Sequence, residues 1–75
     1  MIAYQNNHGS SGVVAYEIGT DRISIEFRSG DVYLYTYKVT GIANVERMKV
    51  LAEKGEGLST YISRTVKNKF ESKLI

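Results

Sequence analysis

The chain has no cysteine, a single histidine and no long apolar run. Without cysteine there is no disulfide framework, no thiolate nucleophile and no thiolate metal site. His8 stands next to "GSS", but a serine nucleophile needs a base oriented by a carboxylate and a hydroxyl held at a strained turn. Ser10 and Ser11 lie instead in a polar, glycine-rich opening. The carboxylates of Glu17, Asp21, Glu26 and Asp31 have no histidine or cysteine companions, so the usual ligand mix of a metal site is missing. "GEG" at 55–57 lacks the longer glycine pattern and the Lys-Ser/Thr pair of a phosphate loop. These absences lead to the expectation of a protein that is not an enzyme, with no catalytic, metal or cofactor site. The opening "MIAYQNNHGSSG" has neither a basic nor an apolar region of the secretory kind, and no segment approaches the length of a membrane span. No membrane partner is expected, and the expected location is the cytoplasm.

What is present describes one small folded domain. Seventy-five residues, 43% hydrophobic and 24% charged, are ordinary for a globular chain. At this size a single core contributes roughly 3 to 5 kcal/mol of net stability. The net charge of +2 hides an asymmetry. Before Lys38 two arginines face four carboxylates, a balance of −2; from Lys38 onward eight lysines and arginines face four glutamates, a balance of +4. A cationic C-terminal half favours a polyanionic partner, because cations that neutralise phosphates release counterions.

Hydrophobic periodicity divides the chain. Residues 1–9 are expected to form a flexible lead, with a tied-down first strand as the alternative for the opening segment, and the domain runs from 10 to 75. "VVAYEI" (13–18) is a β-branched and aromatic run closed by the turn "GTD". "RISIEFR" then alternates strictly, with Ile23, Ile25 and Phe27 on one side and Arg22, Ser24, Glu26 and Arg28 on the other. After "SGD" comes a strand with tyrosines at 33, 35 and 37. Three strands with short turns form an antiparallel meander. Beyond "TG" the period lengthens to that of a helix: Val45, Met48, Leu51 and Ala52 share a stripe, and Gly55 provides a left-handed stop. A second helical ridge runs Leu58, Ile62, Val66, Phe70, Leu74; its β-branched Thr60, Thr65 and Val66 weaken it, so docking must hold it. The expected fold is α+β, a three-stranded antiparallel meander followed by two α-helices packed on one face of the sheet.

Which side the tyrosines take depends on the hairpin before them, because a slip of one residue exchanges the faces of a strand. A two-residue turn at Ser29-Gly30 sets Phe27 opposite Val32 and Ile25 opposite Leu34, and leaves the tyrosines on the second face beside Glu26, Ser24 and Arg22. A three-residue loop with Gly30 left-handed sets Ile25 opposite Tyr33 and sends the rings to the apolar face. The first register is preferred, because it pairs apolar with apolar on one side and tyrosine with polar residues on the other.

The segments "SSGVVAYE", "ISIEFRSGDVYLY" and "KGEGLSTYIS" resemble, in order, the pattern of the KTSC domain. That short module is named after its occurrence at the C-terminus of some lysyl-tRNA synthetases and is also found alone in bacterial and phage proteins. The matching positions are Ser10, Ser11, Tyr16, Phe27, Gly30, Tyr33, Tyr35, Gly55 and Ile62, and "GLSTYI" is similar to the phage and prophage branch. Two departures stand out: Thr40-Gly41 replaces the usual proline after the third strand, and Ser63 follows Ile62 where a basic residue is common, with Arg64 one place later. The resemblance implies a small binding module for which nucleic-acid binding has been proposed.

Exposed aromatics stack bases at about 1 to 3 kcal/mol each while nearby cations hold phosphates. The expected site is therefore Tyr33, Tyr35 and Tyr37 as a stacking strip, with Arg64, Lys67, Lys69 and Lys73 as phosphate contacts. The expected partner is RNA or single-stranded DNA. The alternative is a protein-interaction or assembly module, either a homo-oligomer or a phage-encoded binder of a host protein. A third class is a nucleotide or small anion held at the amides of Leu58 to Tyr61.

Overall fold

The computed structural model describes residues 1–7 and 11–75; His8, Gly9 and Ser10, with the nucleophile reading weighed for them, lie outside the described residues. The fold is α+β. Among the described residues its sheet has five antiparallel strands in sequence order: β1 (Ile2–Ala3), β2 (Val13–Ile18), β3 (Arg22–Phe27), β4 (Val32–Thr36) and β5 (Ser72–Lys73). Helix α1 (Ile42–Lys54) and helix α2 (Leu58–Tyr61), which runs on as a widened π turn through Ile62–Val66, precede β5. The central three strands are the expected meander; the two outer ones are additions to it.

The first addition comes from the opening segment, which forms a tied-down first strand and not a flexible lead. Ile2 and Ala3 pair with Tyr16 and Ala15, Tyr4 is buried, and its hydroxyl accepts the Leu58 N–H at 3.3 Å. Asn7 is fastened to the end of α1 through its N–H to Gly55 O, at 2.8 Å, and its amide to Lys54 O, at 3.1 Å. The second addition corrects the long second helix. The ridge stops at Val66, so Phe70 and Leu74 are not helical: Phe70 turns back onto the tyrosines, 4.6 Å from the Tyr33 ring centroid, and Ser72 and Lys73 pair with Leu34 and Tyr33. Of the β-branched residues that weaken a helix here, Thr60 lies in the short α turn, and Thr65 and Val66 lie where the helix widens to i→i+5 bonding and then ends.

The β3–β4 hairpin takes the register opposite to the preferred one. Gly30 N–H donates to Phe27 O and Phe27 N–H to Asp31 O, both at 2.8 Å, closing a three-residue loop with Gly30 at φ 95°. Ile25 therefore opposes Tyr33, and Ile23 opposes Tyr35. The rings join the isoleucines on the face covered by the helices, where Val13, Tyr16, Ile23, Ile25 and Tyr35 meet Val45, Met48, Leu51, Leu58, Ile62 and Val66. A positive φ costs Gly30 little, and in return the core gains large rings where the other register would supply Val32 and Leu34.

The first helix follows its sequence closely. Its buried residues are Val45, Met48, Leu51 and Ala52, and Gly55 ends it in the left-handed conformation at φ 81°, donating to Leu51 O.

Candidate functional site

The tyrosine strip is not a platform. Tyr35 is 1% exposed and meets Phe70 edge-on, at 6.3 Å between centroids. Tyr33 is half-buried between Phe70, at 4.6 Å, and Phe27, at 5.7 Å. Burial, and secondly the neighbouring Tyr33, push the Tyr35 phenol up to about 12. Tyr37 stands at the rim. Its hydroxyl donates to Glu46, and the Lys49 ammonium sits 5.4 Å from its ring centroid while bridging Glu46 at 2.8 Å. The bond to Glu46 raises the Tyr37 phenol; Lys49 first, and Tyr37 second, lower the Glu46 carboxyl. A base has no flat open surface to stack on here, because each ring already has a neighbour across its face or edge.

The expected cations divide. Lys73 is exposed but bridges Asp31 at 3.1 Å; that contact, ahead of the Ser29 hydroxyl, holds the Asp31 carboxyl below its ordinary value. The pair clips β5 to the hairpin and uses up the charge. Arg64, Lys67 and Lys69 are exposed and, among the described residues, make no ion pair. They sit not on a helix face but on the π turn and the bend that follows it.

That bend is unusual. Lys67 has φ 40° and ψ −109°, and Lys69 N–H donates back to Val66 O at 2.7 Å. The geometry is close to a type II′ turn with Lys67 at the position that favours glycine. A lysine held there is strained by roughly 1 to 3 kcal/mol, and such strain persists only where the surroundings over-determine it. Those surroundings are visible. Lys67 N–H reaches Ile62 O at 2.6 Å, Val66 is fully buried, and the Thr40 hydroxyl donates to Lys69 O. Beyond the bend, the Thr36 hydroxyl donates to Glu71 at 3.0 Å and Glu71 N–H to Leu34 O at 2.7 Å. Thr40 O in turn accepts from the Asn44 amide at 2.9 Å, whose oxygen accepts from the Tyr61 hydroxyl at 2.7 Å.

The Thr40–Lys69 bond also brings in a residue that the sequence reading left out. Exposed Lys38, two residues before Thr40, stands on the turn tied to the basic bend and makes no ion pair among the described residues. Nothing local in "YKVTG" marks it; only the long-range tie does. Lys38 and the cations Arg64, Lys67 and Lys69 thus lie on two segments joined by the Thr40–Lys69 bond, with no carboxylate bridging any of them among the described residues.

The amides between the helices are less available than expected for an anion: Leu58 N–H is taken by the Tyr4 hydroxyl at 3.3 Å and Tyr61 N–H by Gly57 O at 3.0 Å. A cleft of about 460 Å³ does open beside this turn, over Leu51 and Gly57, with Lys54 and Glu56 among its walls. Those two bridge each other at 3.3 Å, so the lysine brings no spare charge to the cleft. Among the described residues no cluster of three or more His, Cys, Asp or Glu side chains is placed to hold a metal ion, and no helix is long and apolar enough to cross a membrane. No family model matches the chain, and no curated protein and no solved structure is significantly similar to it.

Proposed function

We propose that this protein is a non-catalytic binding module of KTSC type that holds RNA or single-stranded DNA by its phosphates, through Lys38, Arg64, Lys67 and Lys69. The observation that carries the reading is Lys67: a cationic side chain kept at a backbone position suited to glycine, flanked by two more cations that make no ion pair among the described residues. Strained backbone positions of this kind cluster at binding and catalytic sites. The reading drops the stacking role of Tyr33, Tyr35 and Tyr37 and the phosphate role of Lys73. It therefore describes backbone contact with little sequence preference, since phosphate contacts position a chain without reading its bases.

Fluorescence anisotropy with labelled oligonucleotides across a salt series tests it. Four phosphate contacts on a single strand give a slope of log K against log salt of about −3, with affinity in the micromolar range or weaker. Reversing the charges of Arg64, Lys67 and Lys69 together should abolish binding. Absence of binding at low salt, or a triple variant that binds like the wild type, would overturn the reading.

A second reading, a protein-interaction or assembly module, is favoured by one separate feature: the sheet face opposite the helices carries Leu34 and Val14 among charged residues of both signs.

A further inference from the structure

The outer face of the sheet has a charge pattern that complements itself. Both helices pack on the face of Ile23, Ile25 and Tyr35, so the alternate residues of β3, Arg22, Ser24 and Glu26, point the other way. Ser24 is the midpoint: it is 8% exposed and pairs in register with Glu17 on one side and Leu34 on the other. Arg22 and Glu26 lie one pleat period to either side of it, opposite in sign, and neither makes an ion pair among the described residues.

We infer that the partner of this face is a second copy of the chain, stacked face to face about a two-fold axis that crosses the strands at Ser24. This inference rests on the assembly reading and names its partner. Such an axis reverses the strand direction, so Arg22 of each copy meets Glu26 of the other, Ser24 lies over Ser24, and Leu34 over Leu34. Val32, which pairs with Glu26, comes over Thr36, which pairs with Arg22. The alternative axis, along the strands, sets Arg22 on Arg22 and Glu26 on Glu26 and is excluded by repulsion. Isologous contacts of this kind are the commonest in homo-oligomers, and paired sheets about 10 Å apart leave room for long charged side chains to meet. Glu17 is the one like-charge position on the axis; it is exposed, and the register of β1 ends one residue short of it, at Tyr16.

Magnitude limits the strength of the pairing. Three strands of five or six residues and two of two residues, at ~4.8 Å between strands and ~3.3 Å per residue, cover roughly 330 Å² per copy, or about 650 Å² in all, which is well below the ~1,200 Å² of standard stable complexes. The dimer is accordingly weak and salt-sensitive.

Sedimentation equilibrium of the whole chain from about 10 µM to 1 mM, at low and high salt, is the test, with circular dichroism as the check on folding. The wild type should pass from monomer to dimer with concentration and shift back towards monomer in salt. Arg22→Glu and Glu26→Arg should each weaken association at least about tenfold, and the double variant, which restores opposite charges across the axis, should regain it. Leu34→Glu should be monomeric; if it does not fold, the swap of Arg22 and Glu26 decides alone. A wild type that stays monomeric at 1 mM, single reversals without effect, or a folded double variant that remains monomeric would each overturn the inference. Because Arg22 and Glu26 are not among the residues of the basic bend, oligonucleotide affinity of the charge-swapped protein reports on the other reading separately.

Discussion

The strand Val32–Thr36 and the bend Val66–Lys69 lie at opposite extremes of how tightly the fold holds a side chain. In the strand, Tyr35 opposes Ile23, meets the Phe70 ring edge-on and is 1% exposed within the core. In the bend, the backbone is the constrained part, fixed in a left-handed conformation by bonds to Ile62 and Val66, while the Lys67 side chain is exposed and makes no ion pair among the described residues. In so small a domain the largest rings are needed for stability, so they are poor candidates for a recognition surface. A binding group must instead be one whose removal the core does not notice.

The largest effect that can break this comparison is Tyr35→Ala. Loss of a fully buried aromatic ring should cost about 3 to 5 kcal/mol, nearly the whole stability of the domain, as measured by urea denaturation. A loss under 1 kcal/mol would mean that the ring is not core. Next comes pH. Burial holds the Tyr35 phenol up at about 12 against an ordinary value of 10.0, so the neutral form is the one the fold favours. Its contribution is present in full below pH 10 and is lost as pH rises through 12. Absorbance titration of the tyrosines should show one phenol ionising last, together with unfolding; its early ionisation in the folded state would contradict the burial. The smallest effect has the opposite sign. Lys67→Gly should raise stability by roughly 1 kcal/mol by relieving the left-handed strain, and weaken oligonucleotide binding at the same time, whereas Lys67→Ala should only weaken binding. A glycine variant no more stable than the alanine variant would remove the strain argument.

Much of the fold follows from local pattern. The alternation Ile23, Ile25, Phe27 marks a strand with one buried side, and all three face the core. The stripe Val45, Met48, Leu51, Ala52 marks the buried side of α1, and Gly55 is its left-handed stop. Each of these depends on residues within a turn or two of one another. The candidate site was legible only in part. Arg64, Lys67 and Lys69 are cations in a basic half, but the helical ridge Val66, Phe70, Leu74 placed them on a helix that ends at Val66, and Lys38 had no local mark at all.

By itself the sequence determined the meander, the first helix, its cap and the cationic bias of the second half, because periodicity and glycine chemistry act over a few residues. Tertiary structure alone decided the side taken by the tyrosines, the partners of Phe70, the two added edge strands and the gathering of Lys38 with the basic bend. The physical reason is the same in each case. A strand with apolar or amphipathic residues on both sides can bury either, and the choice goes to the register in which contacts far apart in the chain, Tyr33 and Tyr35 with Phe70 and Thr40 with Lys69, are made together.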